Sequence, residues 1–204
     1  MVSFDAVVLA GGAARRLGGA DKPGLAVGGR SLLDRVLGAC AGAGATVVVG
    51  PRRVTVRPVL WAREEPPGGG PLPALAAGLS VLASALRPSG PVVLLAADLP
   101  FLTAETVTAL VRELLAITVD GVLLTDPTGR DQPLAAAYQA ESLRRELALL
   151  ATEHGSLANL PLRFLTADLT LHRLPDPTGD ASFDCDTWPD LTRARARFPD
   201  DPES

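Results

Sequence analysis

Lysine is nearly missing from this 204-residue chain: of nineteen basic residues, Lys22 is the one lysine and all the others are arginine. Cysteine is scarce too. Cys40 and Cys185 lie far apart, with no metal-ligand spacing, which sets aside a disulfide scaffold or a zinc ribbon and makes a reducing cytoplasm the expected setting. No apolar run approaches the ~20 residues of a membrane span. The N-terminus has no basic n-region and reads into a first strand, so neither membrane insertion nor a signal peptide is expected. An excess of positive charge is also lacking. The net charge of −4 argues against a nucleic-acid binder carried by bulk electrostatics. Histidine occurs only at His154 and His172, both outside the motifs described below.

What is present is ordinary for a globular enzyme, with 47 % apolar and 21 % charged residues. The length suits one α/β domain, expected over residues 1–198, with an acidic tail at 199–204. Short apolar runs at 7–10, 46–49 and 91–97 read as buried strands, and 56–61 as a further strand. Apolar residues at helical spacing follow from Leu32 to Cys40, Leu72 to Leu86 and Val107 to Leu115. Ser31 with Asp34 resembles a capping box for the first of these helices. This alternation predicts a mostly parallel sheet wrapped by helices. Strands at 120–124 and 133–138 and helices at 140–151 and 190–198 are expected in the second half, where 152–182 has no readable period. Ligands of such sheets sit beyond the carboxyl ends of the strands. The loop after Ala10, the loop after Trp61 and the residues around Asp98 should meet there.

The first of these loops packs four glycines and three cations into the twelve residues from Gly11 to Lys22. Glycines let a backbone approach phosphate oxygens and present N–H groups to them. Arg16 adds a planar fork and Lys22 a point charge. The spacing is neither a Walker A loop nor a dinucleotide fingerprint. A strand-to-helix turn with solvent-facing arginines is the simpler alternative. Asp98 stands where the apolar run 91–97 surfaces. An ionised carboxylate there must be solvated, hydrogen-bonded or paired with a cation, and Mg²⁺ favours one or two carboxylates with phosphate oxygens. Asp186 has two readings, as a second acid or as part of the lead-in to the last helix, where Thr187, Pro189 and Asp190 make a good start.

Leu9-Ala10-Gly11-Gly12, Arg16 and Asp21-Lys22, taken with Asp98-Leu99-Pro100 and Asp184-Cys185-Asp186-Thr187, resemble the MobA-like nucleotidyltransferase family, and within it the guanylyltransferases of molybdenum cofactor synthesis. Gly68-Gly69-Gly70-Pro71-Leu72, then Asp131-Gln132-Pro133-Leu134 ahead of Tyr138, and Phe183 to Leu191 fit the same family in order, so the likeness spans nearly the whole chain. Leu17 stands where the family has methionine, and Pro73 where it usually has alanine. The resemblance implies a three-layer, Rossmann-like nucleotide-diphospho-sugar transferase fold. It implies that Leu9, Ala10, Gly11 and Gly12 hold the guanine and ribose, that Arg16 and Lys22 hold the phosphates, and that Asp98, with Asp186, binds Mg²⁺. Glu65 is the nearest counterpart of an acid that the family carries ahead of Gly-Pro-Leu. Arg16, Lys22 and Asp98 are the expected catalytic set. The implied reaction moves GMP from GTP to the phosphate of molybdopterin, with transient docking to other proteins of cofactor synthesis. Gly11-Gly12 resembles guanylyl enzymes, whereas cytidylyl relatives tend to carry Ala-Gly. A cytidylyltransferase or other small-phosphate nucleotidyltransferase, and a non-catalytic nucleotide-binding module, are the competing expectations.

Overall fold

The computed structural model describes residues 3–12, 15–84 and 90–198. The sequence expectations for Leu86 and for the 199–204 tail lie outside the described residues. The residue pattern predicts six strands, and the main sheet holds seven. It contains β1 (Asp5–Leu9), β4 (Thr46–Val49), β5 (Leu60–Ala62), β6 (Pro91–Ala96), β7 (Gly121–Thr125), β8 (Asp131–Gln139) and β9 (Leu171–Pro175) in the order β5-β4-β1-β6-β8-β7-β9. A two-stranded hairpin, β2 (Ala26–Val27) with β3 (Arg30–Ser31), stands apart from it. In the large sheet only β8 runs against its neighbours; the other pairings are parallel.

The central strands are apolar on both faces because helices cover both. In β1 and β6 successive side chains point to opposite sides. Val8, Val93 and Leu95 join Leu33, Val36 and Leu37 of α1 (Leu32–Ala39) and Val107, Leu110 and Leu114 of α3 (Ala104–Ala116). Val7, Val92 and Leu94 join Leu72, Leu75 and Leu79 of α2 (Pro71–Ser84) and Leu143 and Leu147 of α4 (Ala140–His154). Two packed layers around a sheet follow from the period of two. Fully burying one such leucine stabilises the fold by about 1.5–3 kcal/mol. The expected cap of α1 is present, with Ser31 Oγ accepting from the Asp34 N–H at 3.0 Å.

Two segments depart from expectation. Residues 56–59 lie outside the sheet, and the strand is confined to Leu60–Ala62. Pro58 cannot donate to a ladder, Val56 is 71 % exposed, and its N–H goes to Asp34 Oδ1 at 3.0 Å. The stretch 152–182, which shows no period, forms a short α5 (Arg163–Ala167) and β9. As an edge strand of mixed burial, β9 needs no apolar alternation. The last helix, α6 (Trp188–Arg197), carries the full capping box of Thr187 and Asp190. It packs Leu191 and Ala194 on Val27, Leu32 and Phe101. No helix among the described residues is long and apolar enough to cross a membrane.

Candidate active site

The carboxyl ends of β1, β4, β5, β6 and β7 all lie on one edge of the sheet, and because β8 is reversed its first residues lie there too. The strand ends are stitched together: the Ala10 N–H donates to Val49 O at 2.8 Å, Ala97 N to Leu9 O at 3.0 Å, and Gly50 N to Ala62 O at 3.0 Å. Gly50 is held at φ 143°, and a Cβ there would stand 2.8 Å from the Ala10 carbonyl oxygen. A side chain at position 50 would therefore push on the backbone that begins the glycine loop.

Leu9 is half-buried, Ala10 is buried, and Gly11 and Gly12 are exposed at the strand's end. Further on, a 3₁₀ turn at Arg15–Leu17, two left-handed glycines (Gly18 at φ 67° and Gly19 at φ 80°) and a second 3₁₀ turn at Lys22–Gly24 bend the chain back. The Lys22 N–H donates to Ala20 O at 2.8 Å. Arg53 clasps the loop from the β4 side, its Nε donating to both oxygens of Asp21 at 2.9 Å. That bonding holds the Asp21 carboxyl below its ordinary range.

The Lys22 ammonium is paired with Asp98 Oδ2 and, at 2.5 Å, with Asp186 Oδ1. Arg16 Nη1 reaches Asp186 Oδ2 at 3.3 Å. Asp186 arrives here because the Cys185 N–H donates to the Asp98 carbonyl at 3.1 Å, which ties the lead-in of α6 to the end of β6. Asp190 caps the helix, and Asp186 joins the cations. The side chains of Lys22 and Asp98 are only 15 % and 18 % exposed, so this is a partly desolvated cluster and not a surface pair. Burial would lower the Lys22 pKa, but the Asp98 charge and the hydrogen bonds to Asp186 and Asp98 outweigh it, and the ammonium titrates above its ordinary value. The hydrogen bond from Lys22, helped by the charges of Lys22, Arg16 and Arg130, holds the Asp186 carboxyl below its usual range against its burial. Asp184, unassigned by the sequence reading, is pushed upward by burial and then by the charges of Asp186 and Asp98.

Asp98 Oδ1 is buried and has no hydrogen-bond partner among the described residues. An orphaned carboxylate oxygen beside a second carboxylate, on the edge that carries the glycine loop, fits a hard divalent cation that completes its shell with phosphate and water. No group of three or more His, Cys, Asp or Glu side chains able to hold a metal occurs among the described residues. Two acids are the set on which Mg²⁺ typically relies when a substrate phosphate supplies the rest.

The acid ahead of α2 is placed differently from expectation. Glu65 is exposed and makes no hydrogen bond or ion pair among the described residues. Its neighbour Glu64 accepts from the Gly68 N–H at 3.1 Å, and its Oε1 lies 3.7 Å from where a Gly11 Cβ would be. Glu64 is therefore the carboxylate beside the glycine loop. Sequence spacing to Gly-Pro-Leu could not separate two adjacent glutamates.

The model of the MobA-like NTP transferase domain matches residues 6–168. A protein of Bradyrhizobium sp. strain ORS 278 named molybdenum cofactor guanylyltransferase is 30 % identical over 195 residues, covering 92 % of this chain and 90 % of that protein. A protein of the same name from Rhodopseudomonas palustris strain BisB5 is 34 % identical over 201 residues, covering 93 % and 91 %. Among solved structures, a molybdopterin-guanine dinucleotide biosynthesis protein A from Archaeoglobus fulgidus superposes with a TM-score of 0.73 at 22 % identity, covering 95 % of this chain and 97 % of that one. A nucleotidyl transferase from Methanothermobacter gives 0.72 at 19 % identity, covering 96 % and 97 %, and these two structures bear on the fold alone.

Proposed function

Because the chain belongs to the MobA-like NTP transferase family and is a nucleotidyltransferase of molybdenum cofactor synthesis, we propose that it transfers GMP from GTP to the terminal phosphate of molybdopterin, in the cytoplasm and with Mg²⁺. The observation that carries this reading is Lys22 held between Asp98 and Asp186 beside the glycine loop.

The acceptor's phosphate monoester has a second pKa near ~6 and is largely dianionic at neutral pH. Its oxygen attacks the α-phosphorus, a P–O bond forms, and the bond to the bridging oxygen breaks to release pyrophosphate. No protein base is required, which agrees with a site whose charged groups are Arg16, Lys22 and carboxylates. The barrier lies in bringing anions together and in the charge gathered on the leaving pyrophosphate. The loop from Leu9 to Gly12 would take the guanine and ribose, with Glu64 better placed than Glu65 to meet them. Arg16 and Lys22 would bind phosphate oxygens. Asp98 and Asp186 would hold Mg²⁺, which when bound neutralises phosphate charge and polarises the reacting phosphoryl group.

Pyrophosphate release measured with each NTP, with and without Mo-molybdopterin, tests the reading. GTP with the acceptor should give the fastest release. Faster turnover with CTP would move the protein to the cytidylyl branch, and GTP binding without release under any acceptor would make it a binding module.

A further inference from the structure

The turn between β7 and β8 is built around one carboxylate. Asp126 Oδ1 accepts from the N–H groups of Thr128 at 2.9 Å and Arg130 at 3.0 Å and from the Thr128 hydroxyl at 2.7 Å. Asp126 Oδ2 takes the Gln132 amide at 3.3 Å, and the turn is closed by Asp126 N to Arg130 O at 3.1 Å. The other nearby acid, Asp131, is engaged by Arg173 through two bonds of 2.8 Å. The oxygens of both neighbouring carboxylates are thus engaged by other donors. The exposed guanidinium of Arg130 makes no hydrogen bond or ion pair with any described residue.

Arg130 also lies at the edge of the sheet that carries the site. Register pairs Leu95 of β6 with Ala135 of β8, so residue 130 stands on the same edge as Asp98. The segment leading to Asp186 is bound to this turn: Asp176 N donates to Thr125 O at 2.8 Å, and a Cβ on Gly179 would lie 3.0 Å from Pro127. The strand order puts β1 with its glycine loop on one side of β6, and β8 and β7 on the other. In-line displacement at phosphorus requires the attacking and leaving oxygens to lie roughly opposite each other. If the triphosphate is held from the β1 side, its pyrophosphate leaves towards Arg16 and Lys22, and the nucleophile comes from the side of β8.

We propose that Arg130 binds the phosphate monoester of the acceptor, holding it in line with the α-phosphorus across the site from Lys22. This rests on the nucleotidyl-transfer reading above. A guanidinium fork suits the task, since it grips two phosphate oxygens and leaves the third free to attack.

The test is equilibrium titration of the Mg²⁺-loaded protein, first with a non-hydrolysable GTP analogue and then with molybdopterin. Arg130→Ala should weaken molybdopterin binding about tenfold or more and leave the analogue's affinity unchanged, and Arg130→Lys should recover part of the loss. Equal molybdopterin affinity in wild type and Arg130→Ala overturns the proposal. So does weaker analogue binding with molybdopterin spared, which would assign the guanidinium to the triphosphate. If wild type takes the analogue but not molybdopterin, the acceptor named above is wrong. Inorganic phosphate, titrated onto the analogue complex, then decides Arg130 separately. Binding lost in Arg130→Ala supports its role, and equal binding, or none in either protein, overturns it.

Discussion

The two halves of the sheet share the same apolar layers, but the second half relies more on carboxylates to tie its loops. From β1 to β6 the strands are nearly uninterrupted apolar runs, with helices on both faces supplying the cohesion. From β7 onward, carboxylates gather the chain. Asp120 accepts from Ser142 Oγ at 2.5 Å, from the Thr170 N–H at 2.9 Å and from Arg145 at 3.4 Å. Asp176, 8 % exposed, accepts from the Ser182 N–H at 2.8 Å and hydroxyl at 2.9 Å. On the proposed function, the charges of Lys22 and Asp98 serve chemistry, whereas those of Asp120 and Asp176 serve assembly. Substituting the first should cost rate, and substituting the second should cost stability.

The largest effect is expected at the edge. Asp98→Ala and Lys22→Ala should each fold and reduce turnover by ~10²-fold or more, the order seen when one preorganised electrostatic group is lost. Near-normal steady-state rates in Asp98→Ala would break the contrast. Lys22→Arg should also be impaired, because a planar fork cannot sit between Asp98 and Asp186 as an ammonium does. Next comes Asp120→Asn, expected to cost about 1–3 kcal/mol in denaturant unfolding, from weakened charge-assisted hydrogen bonds, with turnover intact. The carboxyl of Asp120 lies below its ordinary value, chiefly through the hydrogen bond from Ser142. Its contribution is present above the unfolded pKa of about 3.9 and is lost as pH falls through the folded value. Wild type and Asp120→Asn should therefore converge in stability below that range, and a gap that persists in acid would deny the linkage. Arg16 is 73 % exposed, so Arg16→Ala should slow turnover by about tenfold or less. The smallest difference separates two neighbours: Glu64→Gln should raise the KM for GTP a few-fold, while Glu65→Gln leaves it unchanged.

The same contrast decides what could be read in the residues beforehand. The strands at 46–49 and 91–96 were legible because burial on both faces demands an unbroken apolar run. The bend from Gly11 to Lys22 was legible as a loop because four glycines interrupt the apolar pattern. Lys22, Asp98, Arg16 and Asp186 do come together, though their convergence could only be inferred from strand ends. Asp120 was opaque, since its partner Thr170 lies 50 residues away and nothing local marks the pairing. Arg130 was opaque for the opposite reason: what distinguishes it is that the neighbouring acids are taken, a fact of three dimensions. The exposed valines at 54 and 56 mimic a strand by residue type, and Pro58 is the one local sign against it.

The bond between Lys22 and Asp186 spans 164 residues. With ribosomes advancing at about 5–20 residues per second, roughly 8 to 33 s separate the synthesis of the two partners. During that interval a nascent chain carries its glycine bend and then Asp98, but not Asp186. Translation halted before Asp186 would leave a polypeptide with the glycine bend and only half of its cation clasp. The clasp can therefore close only after β1 to β9 have all been synthesised.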